Sequence, residues 1–154
     1  MIHILFVCLG NICRSPMAEA VLGHKIAERQ LNGTIKVDSA GTGDWHIGKI
    51  PHAGTTALLT SKGISYEGMT ARQVLEEDFG KFDYIICMDD SNEVNLRKLR
   101  GAENAQIIKF MNLLPDEKVR EVPDPYYTGN FEEVYRLIDL GTEVLLDKIV
   151  KENL

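Results

Sequence analysis

Apolar runs and helical periods alternate along the chain from start to finish, the pattern of a parallel sheet joined by crossover helices. Ile2 to Cys8, Ile35 to Ser39, Tyr84 to Met88 and Gln106 to Phe110 are rich in Val, Ile, Phe or Tyr, are bounded by turn residues, and read as strands. Their near-continuous apolar character predicts burial on both faces. The first helix is expected from Ser15-Pro16, a hydroxyl cap followed by a proline, to about Arg29. Its apolar stripe is Met17, Ala20, Val21, Ile26 and Ala27, and Asn32-Gly33 is expected to stop it. A second helix spans His52 to Lys62, a weaker one Val74 to Phe79, and a fourth runs from Asp90 or Ser91 to Leu99. The last, Phe131 to about Lys151, is the most regular: Val134, Leu137, Ile138, Gly141, Val144, Leu145 and Ile149 recur at helical spacing, with acids early and lysines late. The longest irregular stretches are 40 to 51 and 111 to 130, and loops of that length in a compact α/β domain are more often functional than idle. The predicted architecture is an α/β three-layer sandwich, a four-stranded parallel sheet flanked by helices on both faces.

Composition narrows the picture. The 154 residues, 44% hydrophobic and 26% charged, fit one globular domain spanning 1 to 154, with no internal repeat or linker. The 17 basic against 23 acidic residues give a net charge of −6, which argues against broad adhesion to nucleic acid or anionic lipid. The apolar N-terminal run is too short for a membrane helix and lacks a cationic prefix, so it reads as a strand and not a signal peptide. Three cysteines, Cys8, Cys13 and Cys87, cannot close a disulfide framework, and a reducing, cytoplasmic location is expected. The histidines His3, His24, His46 and His52 show no metal-ligand spacing, and no metal or cofactor is expected.

The chemistry concentrates in Cys8-Leu9-Gly10-Asn11-Ile12-Cys13-Arg14-Ser15, a turn from the first strand into the first helix. It lies at the carboxyl edge of the sheet, where open α/β folds bind ligands. A loop curling into a helix N-terminus aims successive backbone N–H groups at one point, reinforced by the helix dipole, and makes a phosphate-binding nest. Gly10 and Asn11 tolerate the positive φ such curling demands, and Arg14 adds a planar fork suited to two phosphate oxygens. The same groups favour a thiolate at Cys8, placed for in-line attack on a bound phosphoryl group, with Ser15 able to donate its hydroxyl to the sulfur. The competing reading of these residues is a buried strand cysteine followed by a plain turn.

Val7-Cys8-Leu9-Gly10-Asn11-Ile12-Cys13-Arg14-Ser15-Pro16-Met17-Ala18-Glu19 resembles the signature of the low-molecular-weight protein tyrosine phosphatases, and Asp124-Pro125-Tyr126-Tyr127 resembles that family's second motif. Asp38-Ser39-Ala40-Gly41-Thr42 and Met88-Asp89-Asp90-Ser91-Asn92 also match family segments, so the resemblance covers essentially the whole chain. It implies Cys8 as nucleophile, Arg14 as phosphate-binding arginine and Asp124 as general acid and then base. On the sequence alone, an Asp before Pro in a long loop is a turn residue. The resemblance further implies that Asn11 holds the curled loop and Ser39 hydrogen-bonds to it. By the same resemblance Trp45 is expected to form one wall of the substrate cleft, with Tyr126 and Tyr127, which in relatives can be phosphorylated, opposite. Cys13 is implied as a redox partner of Cys8, and Cys87 reads as inert core. The implied substrates are phosphotyrosine-containing proteins, with inorganic phosphate as product and competitive ligand, handled by a monomer or weak dimer. Met69-Thr70-Ala71-Arg72-Gln73 resembles a His-Ala-Arg stretch of the family, but Thr70 stands where a histidine is frequent, and no role is expected there.

Three rivals use the same loop. A protein arginine phosphatase of this fold tends to carry threonine at the position of Ile12 and often lacks the tyrosine after Asp-Pro, so Ile12 and Tyr126 favour phosphotyrosine. A thiol-dependent arsenate reductase needs two further cysteines, and only Cys87 is left, with Val94 and Asn95 where a partner would lie. A non-catalytic phosphotyrosine-binding or redox-sensing module would use the loop only as a nest; the presence of both Cys8 and Asp124 argues against it, since binding needs neither nucleophile nor acid.

Overall fold

A computed structural model describes all of residues 1–154. Strand β1 (Ile2–Cys8) leads through the loop into helix α1 (Arg14–Glu28), followed by β2 (Ile35–Gly41), α2 (Ala53–Ser61), the short α3 (Asp78–Lys81), β3 (Tyr84–Cys87), α4 (Asp90–Arg97), β4 (Ile107–Lys109), the short α5 (Pro125–Thr128) and α6 (Phe131–Asn153). All pairings are parallel and the sheet order is β2-β1-β3-β4. Alternation along β1 sends Ile4, Phe6 and Cys8 into a core shared with α1, α2 and α6. Leu5 and Val7 enter a second core with Phe79, Phe82, Leu96 and Ala102. Burial on both faces of the central strands is therefore met by two helical layers, the three-layer sandwich expected. The chain runs to β2 on one side of β1 and to β3 on the other, so the crevice at a topological switch point opens beyond Cys8.

Local details depart from the pattern reading. Helix α1 starts at Arg14 with Cys13 as its cap, so Ser15 and Pro16 lie inside the first turn. Proline is tolerated there because the first-turn N–H has no intrahelical partner, and the Ser15 hydroxyl is engaged elsewhere. The helix is not stopped by Asn32-Gly33: Gln30 takes the left-handed conformation at φ 58, with Gln30 N–H donating to Ala27 O and Leu31 N–H to Ile26 O, a Schellman closure. Ala27 is exposed, and Ala18 and Leu22 are buried in its stead. Val144 of α6 is likewise exposed while Leu146 is buried. Residues 74–77 are not helical: Gly41 N–H donates to Arg72 O and Val74 N–H to Gly41 O, so this segment is stitched to the end of β2 and α3 begins only at Asp78. The stretch from 111 to 130 is less irregular than expected, since Phe110–Leu113 forms a 3-10 turn and α5 follows Asp124.

Candidate active site

The loop after β1 has its carbonyls turned outward. Thr42 N–H donates to Cys8 O, Gly43 N–H to Leu9 O, His52 N–H to Ile12 O and Met17 N–H to Cys13 O, so neighbouring elements grip the loop from outside. None of the N–H groups from Leu9 to Arg14 donates to a backbone carbonyl, and α1 carries no side-chain cap. Together they form a concave set of donors at a helix N-terminus, suited to a tetrahedral oxyanion.

Behind the loop lies a web of buried side chains. Asn11 sits at φ 57, its Oδ1 accepting Arg72 N–H at 3.0 Å and its Nδ2 donating to Ser15 Oγ at 2.7 Å and Ser39 Oγ at 3.0 Å. Ser15 Oγ lies 3.0 Å from Cys8 Sγ. With Asn11 donating to its oxygen, the Ser15 proton is free for the sulfur, which is nearer than the other acceptor in reach, Ala40 O at 3.5 Å. That engagement is why Ser15 does not cap the helix.

Arg14 is 2% exposed. Its Nη1 donates to Asp89 Oδ2 at 2.7 Å and to Val122 O at 3.0 Å, and its Nη2 reaches Asp124 Oδ2 at 3.4 Å. Burial works against the guanidinium charge, but Cys8, Asp89 and Asp124 outweigh it and hold the group above its ordinary range. Asp124 is the N-cap of α5, its Oδ1 accepting Tyr126 N–H at 3.1 Å. The Asp-Pro turn reading was thus right about the local geometry and silent about the guanidinium beside it.

The cleft holds about 330 Å³. It is lined by Cys8, Leu9, Gly10, Ile12, Cys13 and Arg14 of the loop, which form its floor, and by Trp45, His46, Asp124, Tyr126 and Tyr127, with the His46 and Tyr126 rings 6.4 Å apart. Asn11, Ser15 and Ser39 stand behind the floor. Trp45, Tyr126 and Tyr127 are exposed, and the Tyr126 and Tyr127 rings meet edge-on at 5.3 Å. His52, the α2 cap, stacks on Phe131 at 5.3 Å and backs Tyr126 at 5.9 Å.

Sequence reasoning missed His46, Asp89, Arg72 and Glu19. Asp89 follows β3, the strand beside β1, so the carboxyl-edge rule combined with strand order points to it. Arg72 contributes through its backbone, which no side-chain pattern announces. Glu19 lies on α1 and accepts Ser39 Oγ at 2.6 Å. Cys13 is buried, and burial above all, with the Cys8 and Asp124 charges, pushes its thiol up to about 12. Cys87 is shut into the opposite core, where burial and then Glu93 push it up to about 12, so it offers no partner for the arsenate chemistry.

A parallel α/β fold with a nest of main-chain N–H groups beyond its first strand, and a cysteine, an arginine and a carboxylate gathered around that nest, is the arrangement of a phosphate-ester enzyme. Residues 3–154 match the model for the low molecular weight phosphotyrosine protein phosphatases, and the chain belongs to that family of phosphoric monoester hydrolases. It is 56% identical over 154 residues to the low molecular weight protein-tyrosine-phosphatase YfkJ of Bacillus subtilis, covering 99% of both chains. It is 45% identical over 152 residues to PtpA of Staphylococcus saprophyticus, covering 99% of this chain and 96% of that one. The crystal structure of YfkJ superposes with a TM-score of 0.97 at 54% identity, covering 100% of this chain and 98% of that one. A Drosophila arginine phosphatase superposes at 0.85 with 34% identity, covering 94% and 96%. No helix is long and apolar enough to cross a membrane.

Proposed function

We propose that the protein hydrolyses phosphotyrosine in proteins through a phosphocysteine intermediate, without metal or cofactor. The Cys8 thiolate attacks phosphorus in line with the phenolic oxygen, while Arg14 and the loop N–H groups hold the equatorial oxygens as charge develops on them. Asp124, protonated for this step, gives its proton to the departing phenolate. As a carboxylate it then takes a proton from the water that attacks the phosphocysteine, and inorganic phosphate leaves. Phosphate is therefore both product and competitive ligand. Ser15, donating to the sulfur at 3.0 Å, stabilises the thiolate as it is expelled. Under peroxide, oxidation of Cys8 to a sulfenic acid followed by attack of the Cys13 sulfur, with loss of water, closes a protective disulfide.

The observation that carries the substrate reading is the pairing of an apolar Ile12 in the floor with aromatic walls at Trp45, Tyr126 and Tyr127, which suits a flat phenyl ring. Because an arginine phosphatase shares the fold, the test runs an aryl phosphate beside phosphoarginine. Cys8→Ser should abolish turnover, a loss on the order of a millionfold by analogy with other nucleophile deletions. Asp124→Ala should keep phosphate binding and lose about 10²- to 10⁴-fold in kcat, most with poor leaving groups. Retained activity in Cys8→Ser sinks the mechanism, and a preference for phosphoarginine sinks the substrate.

A further inference from the structure

We propose that Glu19 is a positioning residue for the phosphate loop, acting through Ser39 on Asn11, and that ionised Glu19 is the form that organises the loop for catalysis. This rests on the reading of Cys8 as the nucleophile.

The loop's backbone depends on Asn11, a non-glycine residue at φ 57, and Asn11 is held from two sides. Arg72 N–H at Oδ1 settles which way the amide faces, so Nδ2 is turned to Ser15 and Ser39. Whether Ser39 can receive that N–H depends on where its own proton goes. An ionised carboxylate only accepts, and Glu19 Oε1 lies 2.6 Å from Ser39 Oγ, so the Ser39 proton is drawn to Glu19 and its lone pairs face Asn11. The chain Glu19, Ser39, Asn11, Ser15, Cys8 is then continuous, with Asn11 Nδ2 as the double donor at its centre: Ser39 accepts from it and donates to Glu19 on one side, and Ser15 accepts from it and donates to Cys8 on the other. Charge-assisted bonds are about twice as strong as neutral ones and polarise their neighbours. Protonating Glu19 removes the charge that orients Ser39 and slackens the grip on Asn11.

Glu19 is placed to change state near neutrality. Burial pushes its carboxyl up to about 7, with the Asp38 charge adding and the Ser39 bond and Arg72 charge opposing. Arg72 is itself shared between Asp38 at 3.1 Å and Asp78 at 3.0 Å, so only part of its field reaches Glu19. On its outer side Glu19 borders a groove with His24 of its own helix and Tyr66 and Glu67 of the segment after α2. None of these is within salt-bridge distance of the Glu19 carboxylate.

The test is the ratio of kcat/KM for wild type over Glu19→Gln, with an aryl phosphate, from pH 5.5 to 8.5. Gln keeps the size and an acceptor oxygen but cannot ionise. The ratio removes every pH dependence that the two proteins share, including that of the substrate. It is expected to rise from near one at the acid end to about tenfold at the alkaline end, the loss typical of a hydrogen bond to a charged group, with a midpoint near neutrality. Ser39→Ala should show the same pH-dependent loss, and in that background Glu19→Gln should add nothing, because the coupling runs through Ser39. The rate of Cys8 alkylation by iodoacetate, an anion drawn to the loop, gives a second readout that needs no turnover. If the phosphocysteine reading fails, turnover survives Cys8→Ser while the alkylation ratio still reports Glu19. A ratio flat with pH in both variants, by turnover and by alkylation, overturns the proposal, since a purely structural loss scales all pH values alike.

Discussion

Gly41 stands directly opposite Cys8 in the β1–β2 register, and its α-carbon faces the phosphate loop with almost no room to spare. A Cβ there would lie 2.8 Å from Leu9 O and 3.2 Å from Asn11 N. Both are backbone atoms of the loop, so neither can rotate away as a side chain would. Gly41→Ala is therefore expected to push the loop off its curl, costing about 1 to 3 kcal/mol of stability as overpacking does. It should also lower kcat well beyond what the stability loss explains, because misplacement by an ångström costs about a hundredfold where reacting groups must align. Thermal melting and steady-state kinetics on an aryl phosphate check this, and an alanine variant with wild-type kcat refutes it. The residue scale also marks the limit of the sequence reading. Cys8, Arg14 and the loop between them were legible as a candidate site because their spacing and residue types suit phosphate chemistry directly. Arg72 was not, because its contribution to Asn11 is a main-chain N–H that any residue but proline offers at that position.

At the scale of elements, the strands and long helices were readable from periodicity, and the misses share a cause. Ser15 looked like a cap because its hydroxyl and the following proline fit one, but tertiary partners, Asn11 and Cys8, took the hydroxyl instead. Val74 looked helical because it is apolar and spaced for it, but the main chain around it bonded to Gly41 at the end of β2. Local pattern cannot anticipate a bond to a segment some thirty residues away in sequence. Helix α6 shows the reverse case, where pattern and packing agree. Gly141 fell on its apolar stripe, and the reason a glycine is there is Phe110: a Cβ at 141 would come within 2.3 Å of that ring, which is fully buried against Phe6. Gly141→Ala is expected to lower stability by about 1 to 3 kcal/mol, a drop in Tm of about 2 to 4 °C per kcal/mol for a chain of this size. Because Phe110 and Gly141 lie outside the cleft, kcat/KM of the folded variant should stay within about twofold of wild type. A large kinetic effect would mean that the α6 packing controls the loop.

Across the whole molecule, an excess of acidic residues coexists with an anion site because recognition rests on main-chain N–H groups, a helix end and one buried arginine. The net charge is negative while the nest gathers N–H dipoles and a guanidinium at one point. The same separation sets up an opposition between stability and activity at Glu19. Its folded-state carboxyl, pushed up to about 7 chiefly by burial, binds a proton over a range where the unfolded chain, near 4.5, has lost it. Stability therefore falls as pH rises through that window: the favourable contribution is full below about 4.5 and is lost as pH passes through about 7. At about 1.4 kcal/mol per pKa unit the contribution is at most roughly 3 to 4 kcal/mol. Glu19→Gln, which cannot ionise, escapes the loss. Thermal unfolding of both proteins should give Tm values that agree near pH 5 and diverge toward pH 8, with the glutamine variant the more stable. In that same alkaline range it is expected to be the slower enzyme, because the ionised carboxylate that burial disfavours is the one that orients Ser39 toward Asn11. A variant more stable and no slower at pH 8 would separate the burial cost from the positioning role. One less stable at pH 8 than wild type would mean that the carboxylate is held by its partners more strongly than burial opposes it.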